Sequence, residues 1–313
     1  MNKNITTLKS PTGNLAWINI ISAQKKEIEY LRRKYKFNEL DLKDSFASQY
    51  AQRPKFYQRQ NYCFLILQFP FYNSKSRSIE PEEVDFFIGR DFVITVHKNN
   101  LPPLTEIFNL CSSDEFYCRQ YLTGNNAALL YEIIVRLQEY CYPILDHISL
   151  DVKNIEKNIF AGHERRMVTE ILNIKRNILN FRKIMENHKN VIQKIIHEGV
   201  EYFPVNKQKA YYNNLIEHTK NIWDLLNSHK EMIEALEDTN GSLVYFKLND
   251  IMRTLTVFSV LILPLSLISG IFGMNTVIGM PFLDNQAGFW GVIILMLLTV
   301  LFLLFIFKKK KLL

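Results

Sequence analysis

Two uninterrupted apolar runs near the C-terminus limit what this chain can become. The first, Leu255–Phe272, ends in Phe272-Gly273-Met274-Asn275, and the second, Phe289–Phe307, stops at Lys308-Lys309-Lys310-Lys311. From Thr254 to Phe307 the one charged side chain is Asp284, between the runs. At 1.5 Å per residue, about 18 to 20 residues match a hydrocarbon core of roughly 30 Å. Soluble cores rarely supply two such runs. The expectation is a transmembrane hairpin with spans at about 254–273 and 289–307.

Lys247 and Arg253 precede the first run and four lysines follow the second, whereas the loop 274–288 has no Lys or Arg. The positive-inside rule then places both termini in the cytosol and the loop outside a cell membrane. The opening MNKNITTLKSPTGN has no apolar h-region, so no signal peptide is expected and residues 1–253 stay cytosolic. All but four of the 38 Lys+Arg and all but one of the 31 Asp+Glu lie before residue 254. That mild, scattered basic excess gives no case for nucleic acid and suits nearness to anionic lipid. Cys63, Cys111, Cys118 and Cys141 form no CxxC pair and the histidines no HxxxH pair. In a cytosolic domain such cysteines read as buried thiols rather than disulfide or zinc ligands.

The pattern predicts an α+β chain in three parts. Residues 1–115 read as a cytosolic α/β domain, 116–252 as long cytosolic helices forming a funnel or stalk, and 253–313 as the membrane hairpin. Strand-like runs are Leu15–Ile20, Tyr62–Phe69, Val84–Ile88 and Phe92–His97, the last two flanking a Gly89-Arg90-Asp91 turn. Helix-prone sequence covers Lys25–Arg33 and Asn38–Phe46, and Leu101-Pro102-Pro103 opens another helix. From Asn125 apolar residues recur at threes and fours. Pro143 is expected to bend this helix, and Ala161-Gly162-His163 to begin a second one running to about His197. From Lys207 to Gly273 there is one glycine before the membrane, Gly241, and no proline before Pro264, which predicts one long helix into the bilayer.

Down the first span run Asn249, Met252, Thr256, Ser259, Leu263, Ser266, Gly270 and Gly273, in alternating steps of three and four. Most are small or polar. In lipid such a stripe must face protein or water, because an unsatisfied polar group there costs several kcal/mol. It fits a tight dimer seam or the wall of a pore, and two spans per chain can enclose a pore only in a ring of subunits. Asn275, just past the run, fits a pore mouth, where its amide oxygen would accept from the water shell of a cation. It equally fits an ordinary helix C-terminus, where Gly and Asn are favoured.

Aromatic-Gly-Met-Asn at the end of the first of two C-terminal spans resembles the CorA family of divalent-cation channels. Asn249-Asp250-Ile251-Met252-Arg253-Thr254-Leu255-Thr256 resembles the family's approach to the membrane, and Leu263-Pro264-Leu265-Ser266-Leu267-Ile268-Ser269-Gly270 its midspan. Met280-Pro281 in the loop and the terminal lysines fit as well. The resemblance implies a homopentamer in the bilayer passing Mg2+ inward along its axis, with Co2+ and Ni2+ as substitutes and no organic cofactor. It implies Gly273, Met274 and Asn275 as the selectivity filter and Met252 with Leu255 as an apolar constriction. Thr256, Ser259, Leu263, Ser266 and Gly270 then line the pore, with Asn249 as a polar ring at the cytosolic end. Asp238, eleven residues before Asn249, matches an intersubunit acidic site that senses cytosolic Mg2+, and Asp44, upstream of Arg53-Pro54-Lys55, is the candidate partner.

Two departures stand out. Where many members carry an acid after Met-Pro, this chain has Phe282, and the loop's one acid is Asp284. Gly279 before Met280-Pro281 is reminiscent of the superfamily's zinc-transporting branch, so the alternative is a Zn2+ or broad divalent transporter, with or without proton coupling. The hairpin as mere anchor for a cytosolic enzyme is the rival class. Against it, residues 1–115 offer no nucleophile-base motif, paired metal ligands or Gly-rich phosphate loop.

Overall fold

A computed structural model describes residues 4–46, 52–122, 124–198, 202–274 and 288–310. The chain divides into two units, Met1–Glu237 and Asp238–Leu313.

The first unit holds a six-stranded sheet built from β1 (Ile5–Lys9), β2 (Ala16–Ile21), β3 (Lys55–Gln58), β4 (Tyr62–Asn73), β5 (Ser78–Gly89) and β6 (Phe92–His97). Their order is β1-β2-β6-β5-β4-β3. β2 and β6 pair parallel and all other neighbours antiparallel. Side chains alternate between faces along a strand, and both faces here are covered. Cys63, Leu65, Leu67 and Phe69 of β4 join Trp17, Phe86 and Ile88 in the larger core. Tyr62, Phe64 and Ile66 join Phe87, Ile94 and Val96 against Ile28, Leu31 and Leu42. A strand buried on both sides reads as one continuous apolar run, as β4 does. The helices over the second face are α1 (Lys25–Tyr35) and α2 (Glu39–Phe46).

Helices α3 (Pro102–Ser113), α4 (Glu115–Leu122) and α5 (Asn126–Glu139) follow the sheet. Asn125 caps α5, its side-chain oxygen accepting from the Ala128 N–H at 2.9 Å. α5 ends at Tyr140, and α6 (Cys141–Phe160) carries Pro143 as its third residue. There the missing N–H has no intrahelical role, so proline sits at a helix start instead of bending one long helix. Gly162, between α6 and α7 (Glu164–Met185), has φ 90°, a conformation that favours glycine.

The helix expected to run to about His197 is split in two, α7 and α8 (His188–His197). No Gly or Pro marks this break. It coincides with His188, which is fully buried, Nε2 lying 2.6 Å from the Gln68 carbonyl on β4, while Nδ1 has no partner. Burial pushes the His188 pKa down to about 4. Below about pH 6.5 the unfolded chain takes up a proton that the folded state refuses. Stability is therefore whole above pH 6.5 and falls by at most roughly 3 kcal/mol as pH drops toward 4. His188→Gln, which retains a donor but cannot titrate, is expected to flatten that part of the profile, read as urea midpoints of the full chain in detergent from pH 7 to 4. An equal slope in both proteins assigns the acid sensitivity elsewhere.

A 3-10 turn at Val205–Gln208 leads into α9 (Lys209–Phe272), 64 residues without interruption. Its buried residues Tyr212, Leu215, Thr219, Ile222, Leu226, Ile233 and Leu236 keep to steps of three, four or seven, the signature of one helix face against a core. Gly241 has open space where a Cβ would stand, so Asn240-Gly241 passes through as plain helix. α10 (Gly288–Lys309) completes the second unit. α9 and α10 are long and apolar enough to cross a membrane, and none of their most apolar stretch is buried within the chain.

Candidate functional site

The stripe from Asn249 to Gly273 lies on one side of α9 because its steps of three and four average close to the helical repeat. All eight members are exposed, as is Leu255 on the same side. The partly buried positions of this stretch are Val257, Val260, Leu261, Pro264, Leu265, Ile268 and Phe272. At about 100° per residue the two sets centre roughly 170° apart. The chain's own burial thus falls on the face opposite the stripe. The chain does not cover the stripe, and it leaves other positions of this stretch exposed as well, among them Phe258, Ile262 and Leu267.

Local chemistry along the stripe is consistent with an interior setting. Thr256 Oγ1 donates to the Met252 carbonyl at 2.8 Å, and Thr254 Oγ1 to Asp250 at 2.9 Å. Each hydroxyl proton is satisfied within the helix, leaving oxygen lone pairs as acceptors. Met252, Leu255 and Leu263, 54%, 60% and 67% exposed, supply bulk on the same side. Gly270 has open space beside it, whereas a Cβ on Gly273 would stand 3.1 Å from the Ser269 carbonyl. Gly273 donates its N–H to that carbonyl at 2.9 Å and Met274 donates to Ile271, so the last turn closes within Gly273-Met274. Met274 is exposed. Asn275, Gly279, Met280, Pro281, Phe282 and Asp284 lie outside the described residues.

The two acidic candidates sit one in each unit. Asp238 is exposed on α9. Its neighbour Glu237 is engaged by Lys175, Nζ to Oε2 2.5 Å. Asp44, on α2, is held by Lys55, Nζ to Oδ2 2.6 Å, with the ammonium 5.8 Å from the Tyr57 ring centre. A cation at Asp44 would have to displace or share that lysine.

Two carboxylate groups escaped the sequence reading. Asp41, 1% exposed, is bound by Arg59 and Tyr62. Glu82, Glu83 and Asp85 of β5 border a cavity. Their signal was present as four acids within Glu80-Pro81-Glu82-Glu83-Val84-Asp85, unusual in a strand flanked by Ile79 and Phe86. All four cysteines are free and buried. Burial pushes the Cys63 and Cys111 thiols up to about 11, which keeps them protonated and unreactive. Among the described residues no group of three or more His, Cys, Asp or Glu is arranged to hold a metal.

Comparison with known proteins gives concordant results. The sequence profile of the CorA-like Mg2+ transporter protein family matches residues 12–309. A provisionally named metal ion transporter of Bacillus subtilis, YfjQ, is 25% identical over 312 residues, covering 98% of this chain and 93% of that protein. The cobalt/magnesium transport protein CorA of Thermotoga maritima is 25% identical over 297 residues, covering 94% and 82%. The complete CorA magnesium transporter structure from Methanocaldococcus jannaschii superposes with a TM-score of 0.83 at 20% identity, covering 96% of this chain and 92% of that one. That likeness establishes the fold: α/β domain, long helix and two C-terminal apolar helices.

Proposed function

Because the chain belongs to the CorA-like Mg2+ transporter protein family, it is a divalent-cation transporter of a membrane, and we propose that it passes Mg2+ passively into the cytosol along the axis of a homopentamer. The observation that carries this reading is the exposed stripe from Asn249 to Gly273, set opposite the chain's own burial and ending at Gly273-Met274-Asn275. Five such faces turned inward give a narrow path with hydroxyls, glycines and two apolar collars. Amide oxygens of Asn275 at the outer mouth would accept hydrogen bonds from the cation's water shell. Mg2+ dehydrates reluctantly, so a ring that holds its hydrated form suits it.

Passage is driven by the membrane potential. Two charges moving inward across 100 mV gain about 4.6 kcal/mol, so no ATP is required. Met252 and Leu255 would close the path by excluding water. Asp238, with Asp44 of a neighbouring subunit as candidate partner, would hold the closed ring when Mg2+ bridges the two carboxylates, since unbridged they repel. Loss of internal Mg2+ would then favour opening. The lysines at the end of α10, Lys308 and Lys309, would lie on the cytosolic side.

Zn2+ or broad divalent transport on the same scaffold, with proton coupling, is the second reading, motivated by Gly279 before Met280-Pro281. The hydroxyls of Thr256, Ser259 and Ser266 and the amides of Asn249 and Asn275 on the proposed path favour Mg2+, a hard cation.

Expression in a bacterium stripped of its own Mg2+ uptake systems tests the reading. Growth at micromolar external Mg2+ is expected, and no growth from a membrane-inserted protein contradicts it. Asp238→Ala is expected to shift the internal Mg2+ concentration for half-inhibition several-fold upward in vesicle flux. An unmoved inhibition curve makes Asp238 a solvated helix residue.

A further inference from the structure

Beyond the proposed pathway, the α/β unit carries a cavity of about 770 Å3 beside the end of β6. β6 stops at His97, paired with Val84 of β5, so the earlier part of β5 has no strand partner on that side, and Asn177 and Asn180 of α7 bond the Ile79 N–H and carbonyl. Glu80, Glu82, Glu83 and Asp85 of β5 and Ser45 of α2 line the cavity. Among the described residues Lys98 is the one cation in that lining, and the Lys55 charge also bears on Glu83 and Asp85.

Among the described residues three buried oxygens of this lining make no well-formed hydrogen bond, Asp85 Oδ1, Glu82 Oε1 and Ser45 Oγ, the Ser45 hydroxyl standing beside the Asp85 carboxylate. Asp85 is 2% exposed and Glu82 6%. A buried carboxylate oxygen with nothing to accept from costs several kcal/mol. Glu83 lies two residues from Asp85 on the same strand face, and it also accepts from the Gln52 N–H. Burial, then the neighbouring Glu83 charge, hold the Asp85 pKa well above the ordinary range, and burial raises those of Glu83 and Glu82. Without a cation, such a pair keeps a proton.

We propose that this cavity is a cytosolic binding site for a hard, partly hydrated divalent cation, Mg2+ in the cell, ligated by Asp85, Glu83 and Ser45 Oγ. The donors are all oxygen, which excludes soft-metal selectivity. Two carboxylates with a water-filled remainder is the usual protein share of a Mg2+ site, whereas Ca2+ prefers six to eight oxygens. The volume leaves room for the waters Mg2+ retains. A bound cation satisfies Asp85 Oδ1 and Ser45 Oγ together, reverses the carboxylate repulsion, and releases the shared proton. It would also tie β5 to α2, the helix that carries Asp44. That link to gating rests on the pathway reading above, whereas the site itself does not.

Fe2+-directed backbone cleavage of the full-length protein in detergent tests the site. Fe2+ substitutes for Mg2+, ascorbate and peroxide generate radicals at the bound metal, and mass spectrometry maps the cuts. Cuts are expected next to Ser45 and between Glu82 and Phe86, competed by millimolar Mg2+ and lost in Asp85→Asn. Ser45→Ala is expected to need about tenfold more Fe2+ for the same cutting. Asp85→Asn removes a buried charge, so in EDTA it should melt no lower than the parent, which separates lost binding from lost folding. Absence of these cuts, or their persistence in Asp85→Asn, overturns the proposal and leaves the pair a proton site. Cuts here without flux in vesicles keep the site and remove the transport reading; flux without cuts does the reverse.

Discussion

Replacing Asn275 with alanine is expected to reduce Mg2+ flux by about a hundredfold or more while leaving the assembly intact. A hydrogen bond to a charged partner contributes about 1.5 to 3 kcal/mol, or roughly 10- to 150-fold for one amide. In a symmetric ring one substitution removes every amide at once. Asn275 follows the apolar run in sequence and belongs to the second unit, so folding of the α/β unit has no reason to suffer. Size-exclusion elution should match the parent, and voltage-driven uptake into vesicles should vanish. Unchanged flux would sink the filter assignment and return Gly273-Met274-Asn275 to a plain helix end.

The second large effect is on stability. Arg59→Ala is expected to destabilise the α/β unit by about 3 kcal/mol, because it strips the counterion from a buried carboxylate. Asp41, on α2, is 1% exposed. Arg59 holds it with two bonds, Nε to Oδ2 at 2.9 Å and Nη2 to Oδ1 at 2.6 Å. Tyr62 Oη donates to Oδ2 at 2.6 Å while accepting from the Asn38 N–H at 2.9 Å. The network pins α2 to the start of β4, and Tyr202 Oη reaches the Arg59 carbonyl from beyond α8. For a unit of this size the loss corresponds to roughly 6 to 12 °C in melting temperature. Replacing the pair together, Asp41→Leu with Arg59→Met, should recover part of it, since two apolar groups leave no uncompensated charge. A drop below about 2 °C for Arg59→Ala would show that water reaches Asp41 and that the pair is not sealed.

What the sequence disclosed, and what it withheld, follows physical lines. The two apolar C-terminal helices and the long helix were legible because their signals are long: two charge-free runs, and a stretch poor in Gly and Pro that became the continuous α9. The β5–β6 hairpin was legible through Gly89 and its alternating flanks. β1 and β3 were not, being edge strands of five and four residues, Ile5–Lys9 and Lys55–Gln58, with polar residues among the apolar ones. Edge strands are short and charged to discourage further pairing, which also weakens their sequence pattern. The α7–α8 break escaped notice because tertiary burial of His188 accompanies it and no breaker residue marks it. The stripe on α9 was visible from spacing alone. That the chain's partial burial falls away from the stripe could come only from coordinates. Glu82 and Asp85 look like ordinary strand charges until one oxygen of each is found buried without a hydrogen-bond partner among the described residues.

Ion uptake into sealed liposomes containing the purified protein tests the central claim most directly. Internal dyes report Mg2+ and Zn2+ under an inside-negative potential, with and without an imposed pH gradient. The account predicts Mg2+ uptake that follows voltage and ignores pH. Zn2+ flux that requires the pH gradient, with little Mg2+ uptake, would contradict it and move this chain to proton-coupled zinc transport.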